Sequence, residues 1–278
     1  MPELPEVETV RRKLAGRLEG RVVTEAVVSD ERWCEPMTAA MLESGVEGSR
    51  IESTGRRGKY LIWNLSGGRA LVMHLRMTGT LLYDPVPDGK YVRVEFGLDD
   101  GHRIAFSDPR RFGTALLLDS DGLDAYFAVR LGLEPFDSEF DADHLFGLMR
   151  GRNAPIKSFL LDQRRIAGIG NIYADEALFR AGVHPLRRPA ELNRRQAARL
   201  RDGIVDALAA GIEAGGATID DFRDPDGAWG AYQSEFLVHR REGQECPDCG
   251  REIRRMVIGG RSTYCCEACQ PRPRRPRS

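Results

Sequence analysis

The chain has 278 residues, 41% of them hydrophobic and 30% charged, so it is long enough to bury a substantial core in two domains. No apolar run approaches the roughly 20 residues that cross a bilayer, and the acidic start is unlike a secretory signal, which favours a cytoplasmic protein. The net charge of -1 excludes a uniformly basic nucleic-acid-binding protein but leaves room for a local basic surface.

The first eight residues, MPELPEVE, combine a proline after the initiator methionine with three carboxylates. Removal of Met1 before the small residue Pro2 would leave a secondary α-amine. An unperturbed α-amine has a pKa of about 7.7 to 8.0, against about 10.4 for lysine, so it is the better nucleophile at neutral pH and could form a Schiff base with a sugar carbon. A structural interpretation stays open, because Pro5 and the helical spacing of apolar residues predict an amphipathic helix over residues 5–18.

Six stretches between residues 21 and 119 predict strands. Asp99, Asp100 and Gly101 predict a hairpin turn between the fourth and the fifth. Without a regular alternation of helix and strand, this half is predicted to be a β-sandwich or a flattened barrel. The six stretches are RVVTEAVVS, KYLIWNLS, RALVMHLR, KYVRVEFGL, HRIAFS and TALLLD.

Pro135 and scattered acidic residues indicate a linker, after which the pattern becomes helical. The last predicted helix begins after Asn193 and stops at Gly215 and Gly216, and the Gly- and Asp-rich residues 215–232 predict a loop. The predicted helices cover about 142–150, 155–163, 171–182 and 193–214.

Five of the six cysteines lie in the last eighth of the chain, and Cys246, Cys249, Cys266 and Cys269 form C-x2-C-x16-C-x2-C. This spacing is typical of a metal site rather than of a secreted disulfide framework. Four thiolates in two knuckles match structural zinc, with iron in a rubredoxin-like site as the alternative. Strand alternation predicts that Cys265 faces away from the metal.

Between the two cysteine pairs, the sequence predicts a β-hairpin that turns at Gly259 and Gly260 and places Arg261 just after the turn. Its guanidinium could reach a phosphate or a reacting centre, although a surface arginine is the more ordinary interpretation. From Arg240 to Ser278 there are ten Arg and five Asp or Glu, a local charge of +5 that suits nucleic acid.

Two further motifs suit a nucleic-acid ligand, although each also occurs in ordinary turns. In GIGNIYADEALFRAGVHP, residues 168–185, glycines before a helix let backbone N–H groups approach a phosphate, and Asn171 adds donors. In DPRRFG, residues 108–113, a turn presents arginines beside a phenylalanine, which could occupy the space left by an extruded base.

Seven stretches occur in a fixed order: MPELPEVETVRR, RRGKYL, MHLRMTG, DPRRFG, APIKSFLLD, the 168–185 motif and the four-cysteine segment. This ordered set covers nearly the whole chain and resembles the formamidopyrimidine-DNA glycosylases, bacterial repair enzymes for oxidised purines. Leu4 favours this branch over the endonuclease VIII type, which removes oxidised pyrimidines and usually has glycine there.

The resemblance implies an α+β fold with an N-terminal β-sandwich, a C-terminal helical helix-two-turns-helix module and a zinc-finger β-hairpin. The expected divisions are a catalytic β-sandwich domain with a leading helix at 1–134, a linker at 135–150, a helical DNA-binding domain at 151–239, the zinc finger at 240–270 and a basic disordered tail at 271–278.

The implied activity is base excision repair by a bifunctional DNA glycosylase and AP lyase. The enzyme would excise 8-oxoguanine and formamidopyrimidines through a Schiff base on Pro2, followed by β,δ-elimination. The resemblance further implies one structural zinc ion and damaged double-stranded DNA as the partner. It also implies a monomer without membrane attachment, in the bacterial cytoplasm and at the nucleoid while it acts.

The resemblance also implies residue roles. Pro2 matches the nucleophile and Glu3 its proton donor, while Lys59 and Arg261 match residues that assist the two eliminations. The residues expected to contact the DNA backbone are His74, Tyr91, Arg110, Arg152, Lys157 and Asn171. The wedge residues, expected to fill the gap left by the flipped nucleotide, are Met77, Arg110 and Phe112.

Two positions depart from the family pattern: Arg76 stands where glycine is common, and His239 where many members have tyrosine. Both departures concern phosphate contacts rather than the nucleophile. An endonuclease VIII-like glycosylase and a catalytically silent DNA-binding zinc-finger protein remain as alternatives. Silent relatives typically lack the N-terminal proline or its acid, and both are present here.

Overall fold

A computed structural model of the chain describes residues 1–85, 89–219 and 222–273. The helices are α1 (Leu4–Leu18), α2 (Ala39–Val46), α3 (Ser120–Ala128), α4 (Ala142–Met149), α5 (Ile156–Leu160), α6 (Asn171–Ala181) and α7 (Arg194–Glu213). The strands are β1 (Val23–Val28), β2 (Ile51–Arg57), β3 (Tyr60–Leu65), β4 (Arg69–His74), β5 (Thr80–Tyr83), β6 (Val92–Leu98), β7 (Arg103–Ser107), β8 (Thr114–Asp119), β9 (Arg254–Ile258) and β10 (Arg261–Cys265). The chain divides into two units, Met1–Val129 with Gly211–Gln233, and Arg130–Ala210 with Ser234–Ser278.

The first unit is built on two antiparallel sheets, with strand orders β1-β6-β7-β5 and β2-β3-β4-β8. Alternation along the strands sends apolar side chains of both sheets into one core, where the rings of Trp63 and Phe96 lie 5.1 Å apart. The predicted β-sandwich is therefore confirmed. The turn at Gly101, with φ of 87°, joins β6 to β7 as predicted.

Helix α1 packs its apolar stripe into the same core, which confirms the predicted amphipathic helix. Val7, Val10, Leu14 and Leu18 are fully buried, and burying each such side chain contributes roughly 1.5–3 kcal/mol. The helix begins at a capping box formed by Glu3 and Glu6, with Pro5 in the first turn.

Four elements of the first unit have weak sequence patterns and were not predicted. Strand β2 carries a single strongly apolar residue, Ile51, and β5 is only four residues long. Helix α2 has only eight residues. Helix α3 buries no residue completely and begins where the Asp119 carboxylate accepts a hydrogen bond from the Gly122 amide.

The four predicted helices lie in the second unit, except that the last three residues of α7 belong to the first. Helix α5 is shorter than the predicted 155–163, because the Gln163 side chain donates to the carbonyls of Leu161 and Ile169 and holds the chain in a turn. Helix α7 starts where predicted, with Asn193 and Gln196 exchanging side-chain to backbone hydrogen bonds.

Strands β9 and β10 form the predicted hairpin of the finger. Gly259 and Gly260 make the turn with φ of 56° and 73°, conformations that favour glycine. The predicted tail lies, from residue 274 onward, outside the described residues. None of the helices in the described ranges combines the length and apolar character needed to cross a membrane.

Candidate functional site

The N-terminal residues are held by one carboxylate. Pro2 is buried, and the Glu3 amide donates to Glu6 Oε2 at 2.7 Å. The other oxygen of Glu6, Oε1, accepts from the Ala217 amide at 2.8 Å. Glu6 therefore connects the chain end to the loop that follows α7.

Two glycines, Gly216 and Gly230, form the base of that loop, residues 215–232. Residues 220–221 of the loop lie outside the described part of the chain. Gly216, with φ of 82°, comes so close to Glu6 that a Cβ would lie 2.9 Å from the Glu6 Cγ. A Cβ on Gly230 would lie 2.3 Å from the Gly216 carbonyl oxygen. The base of the loop thus rests directly on the carboxylate that holds the N-terminus.

Salt bridges tie the far part of the loop to α1. The Lys13 Nζ lies 2.6 Å from Asp224 Oδ2 and 3.0 Å from Asp226 Oδ2, and Arg17 Nη1 lies 2.6 Å from Asp226 Oδ1. The Tyr83 amide donates to the Pro225 carbonyl at 2.9 Å. These contacts give the described part of the loop a fixed position on the first unit.

Lys59 lies in the hairpin between β2 and β3, with its side chain 6% exposed. In the same hairpin, Arg56 donates to Glu8 Oε2 at 3.2 Å and to the Gly58 carbonyl at 3.0 Å. Glu8 belongs to α1 and also accepts from Arg11 at 2.7 Å. This cluster connects the helix that begins next to Pro2 with the hairpin that carries Lys59.

Burial alone would raise the pKa of the Glu8 carboxyl, but hydrogen bonds from Arg11 and Arg12 and the charges of Arg11 and Arg56 lower it to about 2. Glu8 is therefore a carboxylate at any pH near neutrality. Its role is to hold the guanidinium groups of Arg11, Arg12 and Arg56 in place rather than to transfer a proton.

The DPRRFG turn is organised by Asp108, which is fully buried. Its Oδ1 accepts from the Thr78 hydroxyl and, at 3.1 Å, from the Arg110 amide. Its Oδ2 accepts from the amides of Phe112 and Gly113 at 2.8 and 2.7 Å. Because Thr78 follows Met77, one carboxylate joins the two loops that carry all three wedge residues.

The wedge residues are exposed around this carboxylate. Met77 is 41% and Phe112 50% exposed, and the Arg110 guanidinium lies 5.0 Å from the centre of the Phe112 ring. Tyr91 is also exposed, and its carbonyl accepts from the Asp108 amide at 2.9 Å. The structure thus brings together four of the predicted residues on one surface.

His74, at the end of β4, is buried beside this surface. Its Nδ1 accepts from the Arg76 amide at 2.9 Å, so the neutral ring carries its proton on Nε2. Burial, with the charges of Arg76 and Lys59, lowers the pKa of His74 to about 3. Arg76 has φ of 55°, a left-handed conformation that costs a non-glycine residue roughly 1–2 kcal/mol, which explains why glycine suits this position.

In the second unit, Asn171 and Lys157 meet the finger hairpin at one carbonyl. Asn171 Nδ2 donates to the Ser262 carbonyl at 3.0 Å, and Lys157 Nζ donates to the same carbonyl at 2.9 Å. Lys157 Nζ also lies 2.9 Å from Thr263 Oγ1 and 2.7 Å from Asp175 Oδ1. These contacts fix β10 next to Arg261, which is exposed at the start of that strand.

The Lys157 side chain has no exposed surface. The family resemblance implies that Lys157 contacts the DNA backbone. Its ammonium is enclosed by Asp175, Ser262 and Thr263. Contact with the DNA backbone stays a prediction for Lys157, whose hydrogen bonds in this structure lead to the hairpin, and for Arg152, which is exposed in the turn between α4 and α5.

His239, which stands where many members of the family have tyrosine, has a hydrogen-bond partner in Asp175. Its Nδ1 lies 2.9 Å from Asp175 Oδ2, on the carboxylate that also holds Lys157. The neighbouring Glu176 accepts from three successive amides, those of Leu237, Val238 and His239, at 2.9 to 3.0 Å. Helix α6 thus positions both the finger hairpin and the segment that leads into it.

The four predicted zinc ligands come together, with their sulfur atoms all within 4.8 Å of one another. Cys249 and Cys266 have sulfur atoms 3.5 Å apart, and Cys246 and Cys269 3.8 Å. Zn–S bonds of about 2.3 Å in a tetrahedron require sulfur atoms about 3.8 Å apart, so the four thiols fit one structural zinc ion.

Cys265 faces away from this cluster, as predicted. It is fully buried, and its sulfur lies 3.9 Å from His184 Nε2. Burial is the largest cause that raises the pKa of its thiol to about 12. A buried thiol with a raised pKa suits packing rather than oxidation.

The sequence interpretation missed the acidic residues that organise these groups. Asp108 opens the DPRRFG motif and Asp175 lies inside the glycine-rich motif, so their position in those motifs was a usable signal. Glu8 also had a usable signal in the sequence, because Arg11 and Arg12 follow it at helical spacing. The contact of Glu6 with Ala217 joins residues 211 positions apart, and no local pattern predicts it.

The family models and the relatives that match this chain cover nearly all of it. The N-terminal domain model of formamidopyrimidine-DNA glycosylase matches residues 1–115, its H2TH domain residues 131–223, and a zinc finger found in FPG and IleRS residues 243–272. The formamidopyrimidine-DNA glycosylase of Stenotrophomonas maltophilia is 44% identical over 274 residues, 97% of this chain and 100% of that protein.

Two crystal structures show the same similarity. The MutM (Fpg) protein of Thermus thermophilus has a TM-score of 0.88 at 40% identity, covering 98% of this chain and 100% of that one. A Lactococcus lactis Fpg mutant in complex with DNA that contains Fapy-dG has a TM-score of 0.91 at 33% identity, with 98% and 100% coverage.

Proposed function

We propose that this chain, which belongs to the formamidopyrimidine-DNA glycosylase family, excises oxidised purines from double-stranded DNA and then cleaves the strand as a lyase. The observation that carries the proposal is the arrangement of Pro2 and Glu3 at the start of α1, held by Glu6. The retention of both residues argues against a silent DNA-binding protein.

The Pro2 amine is the nucleophile once Met1 is removed. Its nitrogen forms a bond to the sugar C1′ while the bond from C1′ to the base breaks, and the departing base takes a proton for which Glu3 is the adjacent donor. The sugar ring then opens: the C1′–O4′ bond breaks, O4′ takes up the proton that the amine has lost, and C1′ becomes an iminium carbon. The iminium makes the C2′ proton acidic. Loss of that proton expels the 3′ phosphate, and a second elimination expels the 5′ phosphate.

Cations near the departing phosphates stabilise the charge that develops on them. We assign this role to Lys59, on the hairpin joined to α1 through Glu8, and to Arg261, at the start of β10. Arg152 and Tyr91 supply exposed groups for the DNA backbone. The Nε2 proton of neutral His74 gives a hydrogen bond there without adding a charge, and Asn171 acts at the finger hairpin.

Extrusion of a base costs a few kcal/mol and needs side chains that take its place in the duplex. The three wedge residues suit this task, because they are exposed while the loops that carry them are pinned to Asp108. This turn would hold an aromatic ring and a guanidinium against the opened stack without a change of backbone conformation.

The zinc ion, when bound by Cys246, Cys249, Cys266 and Cys269, supplies a structural cross-link. The chain's own residues then keep Arg261 in place through the bonds that Lys157 and Asn171 make to Ser262. We place the enzyme as a monomer in the bacterial cytoplasm, at the nucleoid while it acts.

The test is borohydride trapping of the protein on a duplex that contains 8-oxoguanine. A covalent adduct is expected with the processed chain. Pro2→Gly should weaken trapping, and retention of Met1 should abolish it because the amine is then blocked. Full trapping with the amine blocked would contradict the assignment and would point to a lysine as the nucleophile.

A further inference from the structure

Trp229 differs from the other two tryptophans of the chain. Trp33 and Trp63 are 2% and 0% exposed in the sandwich core, whereas Trp229 is 63% exposed in the loop after α7. The Arg223 guanidinium carbon lies 3.7 Å from the centre of the Trp229 ring, a close cation–π contact. This contact covers one face of the indole and leaves the other face toward solvent.

The pair is held by the backbone around it. Arg223 Nη1 donates to the Phe222 carbonyl at 2.8 Å, and the Asp224 amide donates to the Ala228 carbonyl at 3.0 Å, which closes the turn between the two side chains. The salt bridges from Lys13 and Arg17 fix the same turn to α1. The indole is therefore positioned before any ligand arrives.

The loop backbone next to Trp229 is connected to the residues around Pro2. The next residue, Gly230, packs on Gly216, which in turn packs on Glu6. Glu6 holds the Glu3 amide, immediately after Pro2. A short series of contacts, all within the first unit, thus leads from the residue next to Trp229 to the proposed nucleophile.

We propose that Trp229 stacks on the extruded oxidised base, with Arg223 as the positioning residue that orients the indole. This inference rests on the proposed function and adds a base-binding residue to it. An extruded base has lost its stacking partners, and an aromatic ring restores that interaction with any base. A purine offers a larger face than a pyrimidine, so the contact favours the substrate class proposed above.

Single-turnover excision from an 8-oxoguanine duplex should fall roughly five- to a hundredfold in Trp229→Ala, the range for loss of one base–aromatic stack. Trp229→Phe should retain most of the rate, and Arg223→Ala should cause a smaller loss. Cleavage of a duplex with a preformed abasic site should not change, because no base is present. Phe136→Ala, which removes another exposed aromatic ring, is the matched control and should behave as wild type.

Tryptophan emission gives a second readout that does not depend on turnover. Protein that retains Met1 is mixed with a duplex containing 8-oxoguanine and, separately, with one containing a tetrahydrofuran abasic analogue. Stacking should quench emission with the first duplex only, and Trp229→Phe should remove that quenching, since the remaining two tryptophans are buried.

The outcomes separate the two proposals. Wild-type protein that neither excises nor is trapped would overturn the proposed function itself. Wild-type excision with an unaffected Trp229→Ala variant and no lesion-specific quenching would overturn the stacking inference alone. Equal losses of Trp229→Ala on the lesion and abasic duplexes would also overturn it, because they would indicate a general DNA contact.

Discussion

At the scale of single residues, Glu8 shows how one side chain can hold two parts of the sandwich together. Its carboxylate accepts from Arg11 and Arg12 of its own helix and from Arg56 of the neighbouring hairpin. Because its folded pKa of about 2 lies below the ordinary value of 4.5, the ionised form stabilises the folded protein.

This stabilisation should be fully present above about pH 5 and should be lost as the pH falls toward 2. We expect Glu8→Gln to lower the free energy of unfolding at pH 7 by on the order of 2–3 kcal/mol, with a difference from wild type that shrinks below pH 4. Urea unfolding of the wild type and of Glu8→Gln across this pH range measures the difference in their free energies of unfolding. A difference that stays constant down to pH 3 would contradict the assignment.

At the scale of structural elements, the fold of the zinc finger depends on which of the two adjacent thiols, Cys265 or Cys266, binds the metal. Cys266 belongs to the sulfur cluster, whereas Cys265 packs against His184. Cys266→Ser should lower the zinc content per chain and weaken DNA binding, since the hairpin that carries Arg261 folds around the metal. Cys265→Ser should keep one zinc. Metal analysis with the opposite result would show that the register of β10 is wrong.

The elements that were predictable from the sequence are those with strong local patterns. The stripe of α1, the hairpin at Gly259 and the four-cysteine spacing each depend on residues close together in the chain. Strand β2 was not predictable, because its polar sequence becomes a strand only by pairing with β3. The same holds for the site, where Pro2 and Glu3 were found by motif but the contact between Glu6 and Ala217 forms only on folding.

At the scale of the whole molecule, a net charge of -1 has to be reconciled with DNA binding. Many cations serve the fold: Lys13, Arg17 and Arg56 are paired with carboxylates, and Lys157 is enclosed. The salt dependence of binding should therefore reflect a few exposed cations rather than the total number of basic residues.

Arg152 and Lys157 provide a direct comparison. Arg152→Ala should flatten the slope of log affinity against log salt by about 0.9, the value for one phosphate contact. Lys157→Ala should lower affinity by loosening the hairpin and should flatten the slope less than Arg152→Ala does, and near-ultraviolet circular dichroism would check that the variant is folded. A slope reduced equally in both variants would indicate that Lys157 itself contacts a phosphate.

Gly216 and Gly230, at the base of the 215–232 loop, also limit which substitutions the sequence can accept there. A side chain at Gly230 would collide with the Gly216 backbone, and one at Gly216 would press on Glu6, so mutation at either position disturbs the residues next to the nucleophile. The Trp229 side chain, 63% exposed in the same loop, is under no such steric restriction. Substitutions of this side chain can therefore change what the loop presents to a ligand, while the residues around Pro2 keep their positions.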